Sequence, residues 1–153
     1  MNIKQFCIYF LTDGSYIHSY IGFSTNAHKR YRTHALKLKA SAKRTKSFKG
    51  CYLWVVITGF PSKSKALSAE WFAKRRLNKL QIHKKMLQLP LTCPHKRLST
   101  FFAFLLHEKF IYLRKNLTVL IRDPNKVWSS DISSHYKVEV QNLQAPFCPD
   151  HLK

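Results

Sequence analysis

Short runs of apolar and β-branched residues predict strands in the first sixty positions of the chain. Residues 6–11 form the first run, the turn-forming residues 12–15 (T-D-G-S) follow, and residues 16–23 form the second run. Two β-rich runs around a turn of this composition are typical of a β-hairpin. The run Tyr52–Thr58 (Y-L-W-V-V-I-T) is apolar without interruption, which favours a buried central strand.

Capping residues predict one helix on each side of this last strand. Thr25 and Asn26 are favourable N-cap residues for a helix that begins at residue 27 and ends near residue 39. Ser62 can cap a second helix, which runs to about residue 80. The order of elements is then β-β-α-β-α, which indicates a small α+β core.

The pattern is weaker after residue 84. Residues 100–113 are interpreted as a helix, 117–121 as a short strand-like or extended piece, and 136–140 as an edge strand. We therefore expect a domain over residues 1–84 and a C-terminal extension, helical and extended, over residues 85–153 that packs on it.

The charge of the chain points to a polyanionic partner. Lys and Arg number 27 against 7 Asp and Glu, which gives a formal net charge of +20, and such a balance favours nucleic acid first and an anionic membrane surface second. The 45% hydrophobic content excludes a disordered basic tail. No apolar run approaches the ~20 residues of a membrane-spanning helix. Eight of the twelve residues 39–50 are Lys, Arg, Ser or Thr, and the segment has little apolar content, which predicts a mobile basic loop.

The cysteines and the N-terminus indicate an intracellular protein. The N-terminus lacks the features of a secretory signal, and no two cysteines form a C-x-x-C pair, so a reducing compartment fits better than a disulfide framework. Cys93-Pro94-His95 and Cys148-x-x-His151 resemble halves of a zinc site, with buried or idle thiols as the alternative. The four cysteines are Cys7, Cys51, Cys93 and Cys148.

One acidic residue stands out against this basic background. Glu70 is the only carboxylate between Asp13 and Glu108, and it falls on the second predicted helix. A carboxylate is a suitable ligand for Mg²⁺ or Mn²⁺, hard cations that prefer oxygen. Because two-metal nucleases use several convergent carboxylates, a single one in this half of the chain favours a one-metal mechanism.

Four further side chains in order along the chain suit cleavage of a phosphodiester. Arg30 and His34 are four residues apart on the first predicted helix and share one face. Arginine binds phosphate oxygens with a planar, permanently charged fork, and histidine can orient a neighbour or relay a proton. Tyr9 and Tyr20 lie on the predicted hairpin; nearby positive charge is expected to lower a tyrosine pKa and make the phenolate accessible.

Each of these residues also has a simpler interpretation. On spacing alone, Arg30 and His34 are more typical of a solvated basic helix, and strand tyrosines usually pack in or around a core. Glu70 can be a structural ion-pair partner for a lysine. Composition alone therefore supports nucleic-acid binding and leaves catalysis open.

The motifs carrying these residues resemble those of a known family, the GIY-YIG endonucleases. Cys7-Ile8-Tyr9 and Tyr20-Ile21-Gly22 are similar to its two strand motifs, and residues 20–34 are similar to the segment with its arginine and histidine. Residues 59–71 resemble the catalytic-glutamate helix, most closely that of the Slx-type catalytic subunit of eukaryotic structure-specific endonucleases. The likeness covers roughly residues 5–121, and five matched elements in order are far more specific than one Y-I-G.

The resemblance implies a fold and a role for each residue. The fold is a small central antiparallel three-stranded sheet flanked by helices. Either Tyr20 or the adjacent Tyr9 is implied to deprotonate the attacking water. Arg30 is implied to hold the phosphate, and His34 to support the tyrosine or the leaving group. Glu70 is implied to bind one Mg²⁺ or Mn²⁺ ion. A DNA-facing loop is implied at Lys43, Arg44 and Thr45. The residues that we predict to contact DNA are Lys29, Arg32, Lys43, Arg44, Lys46 and Lys74.

Departures from the family pattern bear on the partners. Cys7 replaces the glycine of the first motif, a site where another small residue can stand unless φ must be positive. The Slx-type subunit continues into a cysteine-rich zinc module that docks a scaffold protein, and this chain has too few cysteines for it. The expected partner is therefore branched DNA, and a scaffold protein partner is in doubt. We expect no membrane association. The expected location is at sites of DNA metabolism, either the nucleus or a viral replication site.

Two hypotheses follow from the sequence. The first is a metal-dependent endonuclease that cuts branched or flap DNA in repair or recombination. The second is a basic nucleic-acid-binding or architectural protein on the same scaffold that does not use its chemistry.

Overall fold

The fold is an α+β arrangement in which one sheet carries a helix on each face. The computed structural model describes residues 6–15, 17–39, 41–75, 98, 101, 117–121 and 137–140. Its elements in chain order are β1 (Cys7–Thr12), β2 (Ser19–Ser24), α1 (Ala27–Ala35), a 3₁₀ turn (Thr45–Ser47), β3 (Tyr52–Thr58), α2 (Lys63–Arg75), β4 (Thr118–Ile121) and β5 (Lys137–Val140). The predicted α+β class is confirmed.

The five described strands form one sheet in the order β2-β1-β3-β4-β5. β1 is antiparallel to both β2 and β3, which confirms the predicted hairpin and the predicted three-stranded core. The sheet is wider than predicted, because β4 adds to β3 in antiparallel orientation and β5 adds to β4 in parallel. The predicted extended piece and edge strand of the second half are thus strands of the same sheet. The division at residue 84 stays a prediction.

Asp13 holds the β1–β2 connection together. Its Oδ1 accepts hydrogen bonds from the backbone N–H groups of Ile17 at 3.0 Å and His18 at 3.1 Å. Its Oδ2 accepts one from the hydroxyl of Ser15 at 2.9 Å. An aspartate that satisfies several backbone donors stabilises a tight turn, which is why the T-D-G-S signal predicted the hairpin correctly.

Helix α1 is shorter than predicted. The Asn26 side chain accepts a hydrogen bond from the backbone N–H of Lys29 at 2.9 Å, so the helix begins as expected. It ends at Ala35 rather than near residue 39, because Lys37 adopts φ 52°. The Leu38 N–H then bonds back to the carbonyl of Thr33 at 3.1 Å, a helix-ending pattern that a left-handed residue permits.

Helix α2 begins where the sequence predicted. The Ser62 hydroxyl oxygen accepts a hydrogen bond from the N–H of Lys65 at 3.2 Å. The helix continues through Arg75, and its predicted end near residue 80 lies outside the described residues. The predicted helix over 100–113 lies there too, except Phe101, which is helical and buried. No helix among the described residues is long and apolar enough to cross a membrane.

A β-bulge in β3 decides which side chains face each helix. The β1–β3 register shifts between Phe10 and Leu11, so that Trp54 and Val55 both pack on the α2 side. The cores on the two faces are separate. The α2 side includes Ile8, Phe10, Ile21, Trp54, Val55, Ala66, Ala69, Leu98 and Phe101, and the α1 side includes Cys7, Tyr9, Leu11, Ala27, Tyr31, Leu53 and Val56.

The basic segment between α1 and β3 is anchored, and the expectation of a mobile loop is wrong for its residues 41–48. Ser41, Thr45 and Phe48 are buried. The Ser41 hydroxyl donates to the carbonyl of Leu38 at 2.6 Å, and the N–H of Thr45 donates to that of Ala42 at 3.1 Å. Small hydroxyl side chains satisfy the backbone of a tight turn locally, a feature that the high charge of the segment conceals.

Candidate active site

Three aromatic rings from three different elements meet on the α1 side of the sheet. Tyr9 of β1 lies 6.2 Å from Tyr20 of β2 and 5.9 Å from His34 of α1, measured between ring centroids. The Tyr20 and His34 rings are 5.1 Å apart. The Tyr9 hydroxyl is 3.1 Å from Nε2 of His34. Tyr9 and His34 are buried, whereas Tyr20 is half-buried.

Gly22 makes room for the Tyr9 ring. The two residues are directly opposed in the β1–β2 ladder, so their side-chain positions lie on the same face of the sheet. A Cβ at Gly22 would overlap the hydroxyl and the ring of Tyr9. The glycine of Tyr20-Ile21-Gly22 is therefore needed for close approach by a neighbouring side chain.

Arg30 and burial shift the pKa of Tyr9 in opposite directions. Burial, and next the neighbouring Tyr20, raise the pKa of Tyr9, while a hydrogen bond and the positive charge from Arg30 lower it; burial is the largest effect and the net direction is upward. The expectation that nearby positive charge makes the phenolate accessible is wrong for Tyr9. The reason is that β1 places this hydroxyl inside the core, where a charged oxygen loses its hydration.

His34 is electrically neutral at pH 7. Burial, followed by the charge of Arg30, lowers the pKa of His34 to about 4. Its Nδ1 lies 2.8 Å from the hydroxyl oxygen of Thr45. Both ring nitrogens of His34 thus have a hydrogen-bonding partner inside the protein.

Glu70 joins this cluster from α2. Its carboxylate forms an ion pair with Lys74, 2.7 Å between Nζ and Oε1, and its side chain is 17% exposed. Nζ of Lys74 lies 5.2 Å from the centroid of the Tyr20 ring, and the charge of Glu70 raises the pKa of Tyr9. The structure therefore brings together all five residues that the sequence analysis selected.

The sequence of this chain matches a known protein family over the part that carries these five residues. Residues 5–85, more than half of the chain, match a model described as the GIY-YIG catalytic domain. The chain belongs to the GIY-YIG family. It is also 38% identical over 67 residues to a structure-specific endonuclease subunit SLX1 homolog from Cryptosporidium parvum (strain Iowa II). That match covers 44% of this chain and 16% of the relative, so the chain spans a small part of the relative's length.

The first strand motif of this GIY-YIG domain carries a cysteine. Cys7 is fully buried and its thiol donates a hydrogen bond to the carbonyl of Ser24 at 3.0 Å. Burial raises the pKa of the Cys7 thiol to about 11, so the group is an unreactive packing residue. Cys51 is likewise a buried free thiol, and the zinc-site hypothesis falls on Cys93 and Cys148, outside the described residues.

The basic residues predicted to contact DNA are distributed over three elements of the GIY-YIG domain. All six are exposed: Lys29 and Arg32 on α1, Lys43, Arg44 and Lys46 around the 3₁₀ turn, and Lys74 on α2. Their contacts with DNA stay a prediction. Lys74 differs from the others, because it contacts Glu70 and Tyr20 within the candidate site itself.

Thr45 has a different position from the one that the resemblance implied. The sequence analysis placed it in a DNA-facing loop with Lys43 and Arg44, but it is fully buried and contacts His34. No local pattern reveals this contact. The only sequence signal is that Thr45 is a small hydroxyl residue among exposed cations.

The residues present suit a single divalent cation. Among the described residues no group of three or more His, Cys, Asp or Glu side chains converges. Asp13 is committed to the turn, and the carboxylate that the described residues bring to the cluster is that of Glu70. One carboxylate and solvent fit Mg²⁺ or Mn²⁺, since such ions keep several waters. The Glu70–Lys74 ion pair would have to open for a metal ion to bind.

A cleft on α2 is a separate feature. It has a volume of about 590 Å³ and is lined by Lys63, Ser64, Leu67, Ser68 and Trp71. None of the five site residues lines it. The candidate site is therefore identified by its converging side chains and not by this cleft.

The depressed pKa of His34 predicts a pH-dependent stability. Between pH 6.5 and about pH 4 an unfolded chain binds a proton at this residue and the folded protein does not. Because the unfolded state then binds more protons, the free energy of unfolding should fall as the pH falls through this window, by on the order of 3 kcal/mol.

Urea unfolding at intervals between pH 4 and pH 7 measures this effect. His34→Gln should remove most of the pH dependence of the free energy of unfolding. The smaller contribution of His28 should remain, because burial also lowers the pKa of that residue. His18→Gln, at an exposed histidine, is the matched control for the effect of a histidine-to-glutamine substitution. Equal slopes in all three proteins would show that His34 is solvated in the folded state.

Proposed function

We propose that this chain is a metal-dependent DNA endonuclease that hydrolyses phosphodiester bonds at branched or flap DNA. One observation carries the proposal: two tyrosines, a histidine, an arginine and a glutamate from four elements meet at one place in a strongly basic GIY-YIG domain. The preference for branched DNA rests on the likeness to a protein named as a structure-specific endonuclease subunit.

Tyr20 is the residue that we assign as the general base. The attacking water must lose a proton to a group that solvent and substrate reach, and Tyr20 is half-buried whereas Tyr9 is buried. A base also needs hydrogen-bonding reach to its water.

Arg30 and Glu70 are assigned to the phosphate. Arg30 donates a hydrogen bond to Tyr9, and a guanidinium has several N–H donors, so it can also bind a non-bridging phosphate oxygen. Glu70 would hold one Mg²⁺ or Mn²⁺, an ion that neutralises charge at the phosphate and the departing oxygen. Water attack at phosphorus then breaks one P–O bond and leaves a phosphate and a hydroxyl at the nick.

One observation favours the architectural alternative. Glu70 already has a short ion pair with Lys74, and a carboxylate used only in this way needs no metal ion. The exposed Lys and Arg side chains and the net charge of +20 would suffice for DNA binding without cleavage.

Cleavage of defined DNA structures tests the proposal. End-labelled duplex, 5′-flap, splayed-arm and four-way-junction DNA are incubated with the protein and Mg²⁺ or Mn²⁺, with EDTA as the control. We expect nicks near the branch point of at least one branched substrate, little cutting of plain duplex, and no product in EDTA. Binding to every substrate without cleavage in either metal ion would favour the architectural protein.

A further inference from the structure

A buried threonine links the basic segment to the catalytic histidine. Thr45 is fully buried in the 3₁₀ turn, and its neighbours Lys43, Arg44 and Lys46 are exposed. Its hydroxyl oxygen lies 2.8 Å from Nδ1 of His34 and donates a hydrogen bond to the carbonyl of Ala42 at 2.9 Å. The hydroxyl thus contacts the Ala42 carbonyl, which can only accept a hydrogen bond, and Nδ1 of His34, which can donate or accept one.

The number of hydrogens determines the direction of both contacts. A hydroxyl has one hydrogen, and the carbonyl of Ala42 can only accept it. When the hydroxyl donates to Ala42, as its 2.9 Å contact indicates, its oxygen accepts from His34, which requires a hydrogen on Nδ1. The neutral imidazole has only one such hydrogen, so Nε2 bears a lone pair and accepts the hydrogen of the Tyr9 hydroxyl, 3.1 Å away.

We propose that Thr45 is a positioning residue that fixes His34 as the Nδ1–H tautomer and so directs the hydroxyl hydrogen of Tyr9 towards His34. The inference about cleavage rests on the proposed function, whereas the inference about the tautomer does not. The oxygen of Tyr9 keeps its lone pairs for Arg30, whose side chain donates a hydrogen bond to it. The chain Ala42–Thr45–His34–Tyr9–Arg30 then places the guanidinium that binds the phosphate.

This arrangement places the basic segment in direct contact with the catalytic machinery. The backbone N–H of Thr45 and its hydroxyl both bond to the carbonyl of Ala42. Any displacement of the turn by DNA contacts at Lys43 or Lys46 would therefore move the partner of His34. An effect of Thr45 on cleavage is accordingly expected in the rate of the bound complex rather than in DNA affinity.

The tautomer can be measured on the free wild-type protein. Long-range ¹H–¹⁵N NMR distinguishes the protonated from the bare ring nitrogen, and His34→Gln assigns the resonance. We expect the Nδ1–H form in the wild type and in Thr45→Ser, which keeps the hydroxyl, and a mixture or the Nε2–H form in Thr45→Val. An Nε2–H ring in the wild-type protein would overturn the proposal, and this measurement needs no cleavage activity.

Single-turnover cleavage of the branched substrate supplies the second measurement. Thr45→Val is expected to lower the cleavage rate at least tenfold with DNA affinity within about twofold, and Thr45→Ser should recover most of the rate. Thr33→Val is the matched control, since its hydroxyl bonds to the carbonyl of Lys29 at 3.1 Å and not to His34. If Thr45→Val loses stability but retains the wild-type tautomer and rate, Thr45 is structural only and the proposal is wrong.

Discussion

Glu70→Gln is expected to lower DNA cleavage about a thousandfold or more while DNA affinity changes by less than about threefold. The amide keeps the shape of the side chain and loses the charge that would hold a divalent cation. A metal ion contributes several kcal/mol to transition-state charge stabilisation, and every ~1.4 kcal/mol is a factor of ten in rate. DNA affinity should persist, because removing one negative charge from a chain of net charge +20 does not weaken its attraction to phosphates.

Lys74→Gln is the control that separates the two roles of Glu70. It breaks the same ion pair and leaves the carboxylate in place. We expect a loss of rate at least a hundredfold smaller than in Glu70→Gln, and a lower concentration of Mg²⁺ for half-maximal rate, since the carboxylate no longer has a competing cation. Single-turnover rates and filter-binding affinities of both variants measure this. Equal losses in the two variants would indicate that the ion pair itself, and not metal binding, is the function of Glu70.

The sequence predicted the parts of the fold that depend on local pattern. The two β-rich runs and the turn residues around Asp13 predicted the hairpin, and Asn26 and Ser62 predicted where the helices begin, because these signals act within a few residues. The sequence also selected five side chains that the structure brings together, since the order of chemically suited side chains and the family motifs are both visible in one dimension; their catalytic roles stay a prediction.

Most of the predictions that failed concern features that depend on contacts between residues distant in sequence. The pKa of Tyr9 rises because β2, β3 and α1 enclose its hydroxyl, and no neighbour in sequence signals that enclosure. Thr45 meets His34 across eleven positions, and the early end of α1 depends on the left-handed conformation of Lys37. The addition of β4 and β5 to the sheet is likewise a matter of pairing partners, which short apolar runs do not specify.

Gly22→Ala is expected to remove cleavage and to lower the free energy of unfolding by about 3 kcal/mol or more. The added Cβ would occupy space held by the hydroxyl and ring of Tyr9, and that ring is enclosed by the core and bonded to His34. Overpacking of a rigid interior costs about 1–3 kcal/mol, and more where the neighbour cannot move. Displacing the ring would also break its contacts with His34 and Arg30, so the site should lose its arrangement in any molecules that still fold.

A double-mutant cycle with Tyr9→Ala isolates this clash. In the Tyr9→Ala background the ring is absent, so the Cβ at residue 22 has no clash with it. Gly22→Ala should then lower the free energy of unfolding by less than about 1 kcal/mol, as measured by urea unfolding. Such non-additivity is expected for residues in contact. Gly14→Ala is the matched glycine control. Its Cβ would lie 3.3 Å from the carbonyl oxygen of Lys49 and 3.6 Å from the Tyr52 ring, a fit that needs only a small adjustment. If Gly22→Ala costs the same with and without Tyr9, the glycine is required for the backbone of β2, and the close approach of the tyrosine is not the reason for it.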